Sequence, residues 1–104
     1  MSSGDESLKK AVEKAIEEYN KYRSPEATAK LVKIENGEAV IVFEGSFCET
    51  CGVNEWIVDM EYVMKDLGID AELEAIEEPE NPAEDRRVGR FRIKRITFPH
   101  QSLH

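Results

Sequence analysis

Several residue types and motifs that would place a chain in a familiar functional class are scarce or absent here. The 104 residues include two cysteines, too few for the disulfide framework of a small secreted protein. No stretch approaches the roughly 18 consecutive apolar residues that a membrane-spanning helix needs. The N-terminus has no basic stretch followed by an apolar one, so no signal peptide is recognisable. These absences predict a cytoplasmic protein that does not cross a membrane.

Common catalytic motifs are missing as well. The sequence contains no glycine-rich phosphate loop, no Gly-x-Ser-x-Gly turn and no His-Glu-x-x-His helix. A chain of this length forms one domain, because separate cofactor and substrate domains need more residues. With 40% hydrophobic residues it can build a core, which excludes a disordered chain. We expect one domain over residues 1–98 and a frayed tail over residues 99–104. The missing motifs favour a non-enzymatic protein and leave a thiol–disulfide enzyme as an alternative.

Charge is distributed unevenly along the chain. The net charge is −8, but residues 1–85 hold all 22 acidic side chains and eight basic ones, whereas residues 86–104 hold six basic side chains and no acidic one. An acidic chain is a poor candidate for general nucleic-acid binding. The charged fraction of 35%, with a single glutamine at Gln101, is compatible with a thermophilic source.

Hydrophobic periodicity predicts two amphipathic helices. In the first, apolar side chains recur at spacings of three and four from Leu8 to Tyr22. In the second, they keep this spacing from Val53 to Leu67, and Gly68 stands where a left-handed residue closes a helix. We expect both apolar stripes to be buried, including the side chains of Tyr22, Trp56, Met60 and Met64.

Four strands are predicted between and after these helices. Residues 27–34 and 39–44 form a hairpin around Asn36-Gly37, the preferred pair for a type I′ turn. Residues 39–43 of the second run are all apolar, so this run is expected to be a central strand, buried on both faces. Residues 69–75 alternate apolar and acidic side chains, and a last strand covers about residues 88–98.

The predicted element order is α-β-β-α-β-β. Two amphipathic helices cannot bury their stripes alone, and a sheet needs one covered face. We therefore expect an α+β fold: a two-layer sandwich with both helices packed on one face of a small mixed sheet, and the basic last strand at an edge.

Cys48 and Cys51 form the most specific motif of the chain. Their Cys-x-x-Cys spacing lets two thiolates face one metal, and a position just before a helix lowers the thiol pKa. Glu44 and Glu49 act in the opposite direction, because nearby negative charge disfavours a thiolate. Two thiolates fill half of a tetrahedral shell, so a metal or cluster needs two further ligands from this chain or a second copy.

The segment around this motif resembles a known family. Residues 31–45 (LVKIENGEAVIVFEG), the Cys48-Glu49-Thr50-Cys51 motif and the helix that follows are similar in order and length to the C-terminal domain of NifU, an iron–sulfur cluster scaffold and carrier. The resemblance covers about residues 6–78. It implies a homodimer that holds a [4Fe-4S] cluster with Cys48 and Cys51 of each subunit and delivers it to apo iron–sulfur proteins.

This chain departs from the family pattern at three places. One extra residue separates Gly45 from Cys48, and Gly52-Val53-Asn54 replaces the family's Pro/Ser-rich segment. The last strand extends beyond the family's usual end. The two cysteines therefore keep other interpretations: a thiol–disulfide redox pair, a structural pair in a non-enzymatic interaction module, or a zinc site completed by His100 and His104.

The basic last strand has two interpretations. In one, it is a platform for RNA or for an acidic partner. In the other, its cations pair with Asp70, Glu72 and Glu74 on the neighbouring strand. Binders of single-stranded nucleic acid interleave aromatic side chains among the basic ones, whereas Phe91 is expected on the opposite, core side. The candidate partner-binding residues are Arg86, Arg87, Arg90, Arg92, Lys94 and Arg95.

Overall fold

The structure, a computed structural model, describes residues 3–46, 53–78, 80–81 and 84–97. It confirms the predicted order of two helices and four strands. The elements are α1 (Ser3–Arg23), β1 (Thr28–Glu35), β2 (Glu38–Glu44), α2 (Val53–Asp66), β3 (Ile69–Glu77) and β4 (Arg86–Ile96). The expected tail over residues 99–104 lies outside the described residues.

The four strands form one sheet in the order β1-β2-β4-β3, and every neighbouring pair is antiparallel. The expected mixed sheet is therefore wrong. Because β2 and β3 both run antiparallel to β4, they are parallel to each other, but β4 lies between them. The connection from β2 through α2 to β3 therefore crosses over β4, which comes later in the chain. β4 is a central strand rather than the expected edge strand.

Glycine makes room for this crossover at one position. Gly89 of β4 is buried, and a Cβ atom built on it would lie 3.2 Å from Ile57 Cγ2 of α2. The same atom would lie 2.8 Å from the Phe91 ring and 3.2 Å from the Phe43 ring. The side chain that β4 lacks here leaves the space in which α2 meets the sheet.

The hairpin turn has the predicted geometry. Asn36 and Gly37 both have positive φ, at 55° and 76°, as a type I′ turn requires. Gly37 also accepts a hydrogen bond through its carbonyl from the N–H of Ile93, at 2.8 Å, so the turn is fixed to β4. At the end of α2, Gly68 has a φ of 87°, which confirms the predicted left-handed residue.

Both helices and the inner side of the sheet share one hydrophobic core. Its fully buried aromatic side chains are Tyr19 of α1, Phe43 of β2 and Phe91 of β4, and the Tyr19 and Phe43 rings meet edge to face at 5.5 Å. Met60 and Met64 are buried as predicted. The shared core is compatible with the expected two-layer packing.

One residue of the predicted core stripe is exposed. Tyr22 continues the apolar spacing of α1, yet it is 73% exposed and its stripe prediction is wrong. It lies in the last turn of α1, which ends at Arg23, and its ring stands 5.5 Å from the Lys21 ammonium. Spacing places a side chain on a helix face but does not show how far the neighbouring element covers that face.

A polar side chain of each helix forms hydrogen bonds with the backbone of one edge strand of the sheet. Asn20 of α1 donates to the carbonyl of Ala29 at 3.0 Å and accepts from its N–H at 2.7 Å. Glu61 of α2 accepts a hydrogen bond from the N–H of Leu73 on β3. Edge strands carry unpaired backbone groups. These two side chains satisfy part of each edge and anchor each helix to the strand beside it.

No helix among the described residues has the length and apolar character needed to cross a membrane.

Candidate functional site

Cys48 and Cys51, the predicted cluster ligands, lie outside the described residues. The structure does show both ends of the connection that contains them. β2 ends at Glu44 and α2 begins at Val53, so the connection runs from the end of a central strand to a helix N-terminus, as the sequence predicted. These two ends, the end of β2 and the start of α2, form the frame of the candidate site.

The first end of this frame is fixed at Gly45. Its N–H donates to the carbonyl of Asp85 at 3.1 Å, which joins the end of β2 to the residue before β4. Gly45 has a φ of 139°, and a Cβ atom there would overlap the carbonyl oxygen of Glu26 and lie 2.8 Å from that of Pro25. The chain can leave β2 in this direction only because the residue is glycine.

The second end is fixed by the packing of α2. Ile57 is fully buried, and Trp56 is partly buried against the core as the stripe predicted. The hydroxyl of Tyr19 donates to the carbonyl of Trp56 at 2.6 Å, which ties the first turn of α2 to α1. Burial raises the pKa of Tyr19 above its ordinary value, because the phenolate would lose its hydration, so the hydroxyl stays protonated and remains a donor.

Charges near the connection differ from those that the sequence suggested. Glu44 was expected to disfavour thiolates, but its carboxylate lies 3.4 Å from Lys30 Nζ on β1. Arg87 pairs in register with Phe43, two residues before Gly45. Its Nη1 donates to the carbonyls of Glu84, at 3.4 Å, and Arg86, at 2.7 Å. Its Nε is buried and has no hydrogen-bond partner among the residues that the structure describes. The negative charge near this strand end is thus partly offset.

Four of the other five cations of β4 have a carboxylate partner, as the pairing interpretation expects. Arg92 Nε lies 2.9 Å from Glu74 Oε2, and Lys94 Nζ lies 2.9 Å from Glu72 Oε1, which confirms pairing with two of the three predicted carboxylates. Asp70 lies opposite Arg95 in the strand register. Outside the predicted set, Arg86 Nη2 lies 2.9 Å from Glu84.

Arg90 bridges two strands. Its Nε lies 2.6 Å from Glu77 on β3, and its Nη1 lies 3.1 Å from Glu38 on β2. This arrangement is possible only because β4 lies between β2 and β3. The hydrogen bond that Arg90 donates to Glu77, followed by the negative charge of Glu77, raises the pKa of Arg90, and Glu74 does the same for Arg92. These pairs are solvated, so each contributes little to stability.

The paired strand face also covers an apolar side chain. Val40 of β2 is 4% exposed but does not belong to the core cluster that the helices cover. It lies opposite Arg90 in the strand register. The long stems of paired arginines can cover apolar surface while their charged ends stay in water. The partner-binding role of the six basic residues stays a prediction, and most of them already have a carboxylate or carbonyl partner.

Further metal ligands are not evident in the described part of the chain. Residues 3–46, 53–78, 80–81 and 84–97 contain no group of three or more His, Cys, Asp or Glu side chains that could hold a metal ion. His100 and His104, the residues of the zinc alternative, lie outside these ranges. The second pair of ligands that a cluster needs would therefore have to come from the rest of the chain or from a second copy of it.

Comparisons with known proteins assign no family. No family model matches the chain, and neither a curated protein nor a solved structure matches it. The resemblance to the C-terminal domain of NifU stays a prediction.

Proposed function

We propose that this protein is an iron–sulfur cluster scaffold or carrier that holds its cluster through Cys48 and Cys51. One observation supports the proposal most directly: the eight-residue connection containing both cysteines joins a strand end fixed at Gly45 to the N-terminus of a packed helix, α2. A carrier needs its ligands on an accessible connection, so that the cluster can be passed on, and needs a rigid frame on both sides of it.

The donor set suits iron. Cysteine thiolates are the usual protein ligands of iron–sulfur clusters. The N-terminus of a helix carries partial positive charge from its unpaired N–H groups, which favours thiolates close to it. Two cysteines per chain supply half of a four-thiolate set. The proposal therefore has the protein act as a homodimer in which each subunit supplies two thiolates. Its recipients are apo iron–sulfur proteins in a reducing, cytoplasmic compartment.

Anaerobic reconstitution with ferrous iron and sulfide tests the proposal. We expect a brown protein with broad absorbance in the blue, in a species twice the mass of the chain. Cys48→Ala and Cys51→Ala should each abolish the absorbance. Thr50→Ala, which changes a side chain between them that cannot form a thiolate, should keep it. A colourless wild-type protein, or colour retained in both cysteine variants, would exclude cluster binding by this motif.

The same samples separate the alternatives. A zinc site would give a colourless protein with stoichiometric zinc that is lost on replacing His100 and His104. A redox pair would give a disulfide between Cys48 and Cys51 that forms and breaks reversibly in defined glutathione buffers. A structural pair in an interaction module would give neither a metal nor a reversible redox equilibrium. Each result assigns a different function to the same two residues.

A further inference from the structure

A groove lies between the end of α1 and the outer side of α2. It has a volume of about 630 Å³, and an adjoining recess of about 210 Å³ shares Tyr22 and Arg23 with it. Trp56 and Tyr62 of α2 line the larger part. We call the two together the α1–α2 groove. It is within the size range of sites that bury a ligand or an anchoring side chain, about 300–1,000 Å³.

Exposed aromatic side chains are concentrated at this groove. Among the described residues, three large hydrophobic side chains are exposed: Tyr22 at 73%, Tyr62 at 62% and Val32 at 56%. Two of the three, Tyr22 and Tyr62, line the groove, and the partly buried Trp56 lies beside them. Tyrosine and tryptophan carry much of the binding energy at protein interfaces, because they bury a large area with few rotatable bonds.

The groove is also acidic. Its lining includes one basic residue, Arg23, whose Nε lies 3.4 Å from Asp59 Oδ2 and whose guanidinium lies over the Tyr19 ring. Arg23 is therefore already engaged within the protein. The acidic residues that line the groove and its recess are Glu18, Glu55, Asp59 and Asp66. An entering segment meets aromatic faces surrounded by excess negative charge.

We propose that the α1–α2 groove is a docking surface for a basic, amphipathic segment of a partner protein. Arginine or lysine of that segment would approach the carboxylates and the Tyr62 ring, because cations are attracted to aromatic faces. The Tyr22 ring already has the Lys21 ammonium 5.5 Å away, so it would contribute apolar contact area. Apolar side chains between them would cover Trp56 and Tyr62. A nucleic acid or an acidic peptide does not fit, since its charge has the same sign as the groove.

This inference stands on the groove alone and does not require a cluster. The groove reaches Asn54 and Glu55, in the first turn of α2, where the cysteine-containing connection ends. If the proposed function also holds, a partner docked here lies at the end of α2 that follows the cysteine-containing connection in the chain. The test is therefore made with the full-length Cys48→Ala variant, so that its outcome is independent of cluster binding.

The single tryptophan gives the readout. Trp56 lines the groove, so its fluorescence reports occupancy without a label. The probe is a synthetic helical peptide of arginine and leucine at three-and-four spacing, compared with one in which glutamate replaces arginine. We expect the basic peptide to shift the emission saturably, with a Kd below about 1 mM, and the acidic peptide to leave it unchanged.

Matched variants locate the binding. Tyr22→Ser and Tyr62→Ser should each weaken binding by about fivefold or more, as expected for contact residues at an interface. Val32→Ser removes the third exposed side chain, on β1, and should leave the Kd unchanged within about twofold. All three positions are exposed, so circular dichroism melts should coincide with that of the parent protein.

Several results would overturn the proposal. Equal binding of the acidic peptide would remove charge complementarity, and an equal loss in Val32→Ser would place binding elsewhere. No shift at millimolar peptide would show that the groove does not bind such a segment. A dimer in sedimentation equilibrium that Tyr62→Ser dissociates would identify the occupant as a second copy of this chain.

Discussion

Replacing Gly89 with alanine tests the position of α2 over the sheet. Gly89 lies in the central strand β4, beneath the crossover, and its φ is outside the left-handed region, so an alanine there has no backbone strain. The effect of the substitution therefore depends on the space around one added methyl group. Two of the neighbours of that methyl group, Phe91 and Phe43, belong to the sheet, and the third, Ile57, belongs to α2. If α2 crosses β4 as described, part of the cost comes from Ile57; if the helix lies elsewhere, only the share of the two phenylalanines remains.

The magnitude follows from three contacts. The methyl carbon would lie 2.8 Å from Phe91 Cε1 and 3.2 Å from both Ile57 Cγ2 and Phe43 Cε1. All three side chains are fully buried and cannot turn into solvent. Overfilling a packed core typically costs about 1–3 kcal/mol. The smaller conformational freedom of alanine in the unfolded chain returns about 0.4–1 kcal/mol. We expect a net loss of about 1–2 kcal/mol, or roughly 4–16 °C in Tm.

Urea unfolding followed by circular dichroism measures this loss. The midpoint should fall while the m-value stays constant, because the unfolded chain exposes the same surface. Ile57→Leu is the matched background, since it keeps the side-chain volume but removes Cγ2, the atom that α2 directs at Gly89. In that background Gly89→Ala should cost less. An equal cost in both backgrounds, or a gain in stability from Gly89→Ala alone, would refute the placement of α2 over β4.

Three further predictions concern single side chains. Tyr19→Phe should lower the free energy of unfolding by about 1 kcal/mol at pH 8, measured by urea unfolding. Because burial raises the pKa of Tyr19, the wild-type protein should lose stability as the pH rises above 10, where the unfolded chain releases this proton and the folded chain keeps it. The variant, which lacks the hydroxyl, should lose less. Asn20→Ala, which removes two hydrogen bonds to Ala29, should cost about 1–3 kcal/mol in the same assay, whereas Asn54→Ala on the exposed start of α2 should cost less than about 0.5 kcal/mol. The hydrogen bond from Lys94, whose Nζ lies 2.9 Å from Glu72 Oε1, lowers the pKa of the Glu72 carboxyl, so Lys94→Met should raise that pKa in an NMR titration.

Elements whose signals are local could be predicted from the sequence. The type I′ turn follows from Asn36-Gly37, because these two residues adopt positive φ more readily than others. The end of α2 follows from Gly68 for the same reason. The buried central strand β2 follows from its uninterrupted apolar run, of which Val40 and Ile41 occupy opposite faces and are both buried. In each case neighbouring residues contain the information.

The order of the strands could not be predicted in the same way, because it depends on residues far apart in the chain. The alternating cations of β4 predicted acidic partners but did not show that these partners lie on two neighbouring strands. Arg90 shows what was missing: it contacts Glu77 on one side and Glu38 on the other, 52 positions away. An edge strand meets carboxylates on one side only. The excess of basic residues at the end of the chain is therefore a feature of a central strand.

The candidate sites divide along the same line. Cys48 and Cys51 could be identified from their spacing, since two thiols three positions apart are a chemical signal in the sequence itself. The α1–α2 groove was not found, because Tyr22 fits the apolar spacing of α1 and reads as a core residue. The exposure of Tyr22 depends on how far α2 covers that face of α1, and the spacing of apolar residues does not determine this. A residue that satisfies a core pattern and is nevertheless exposed marks a surface on which local pattern and global packing disagree. Such disagreements are expected at functional sites, and here the residue lines the groove that we assign to a partner.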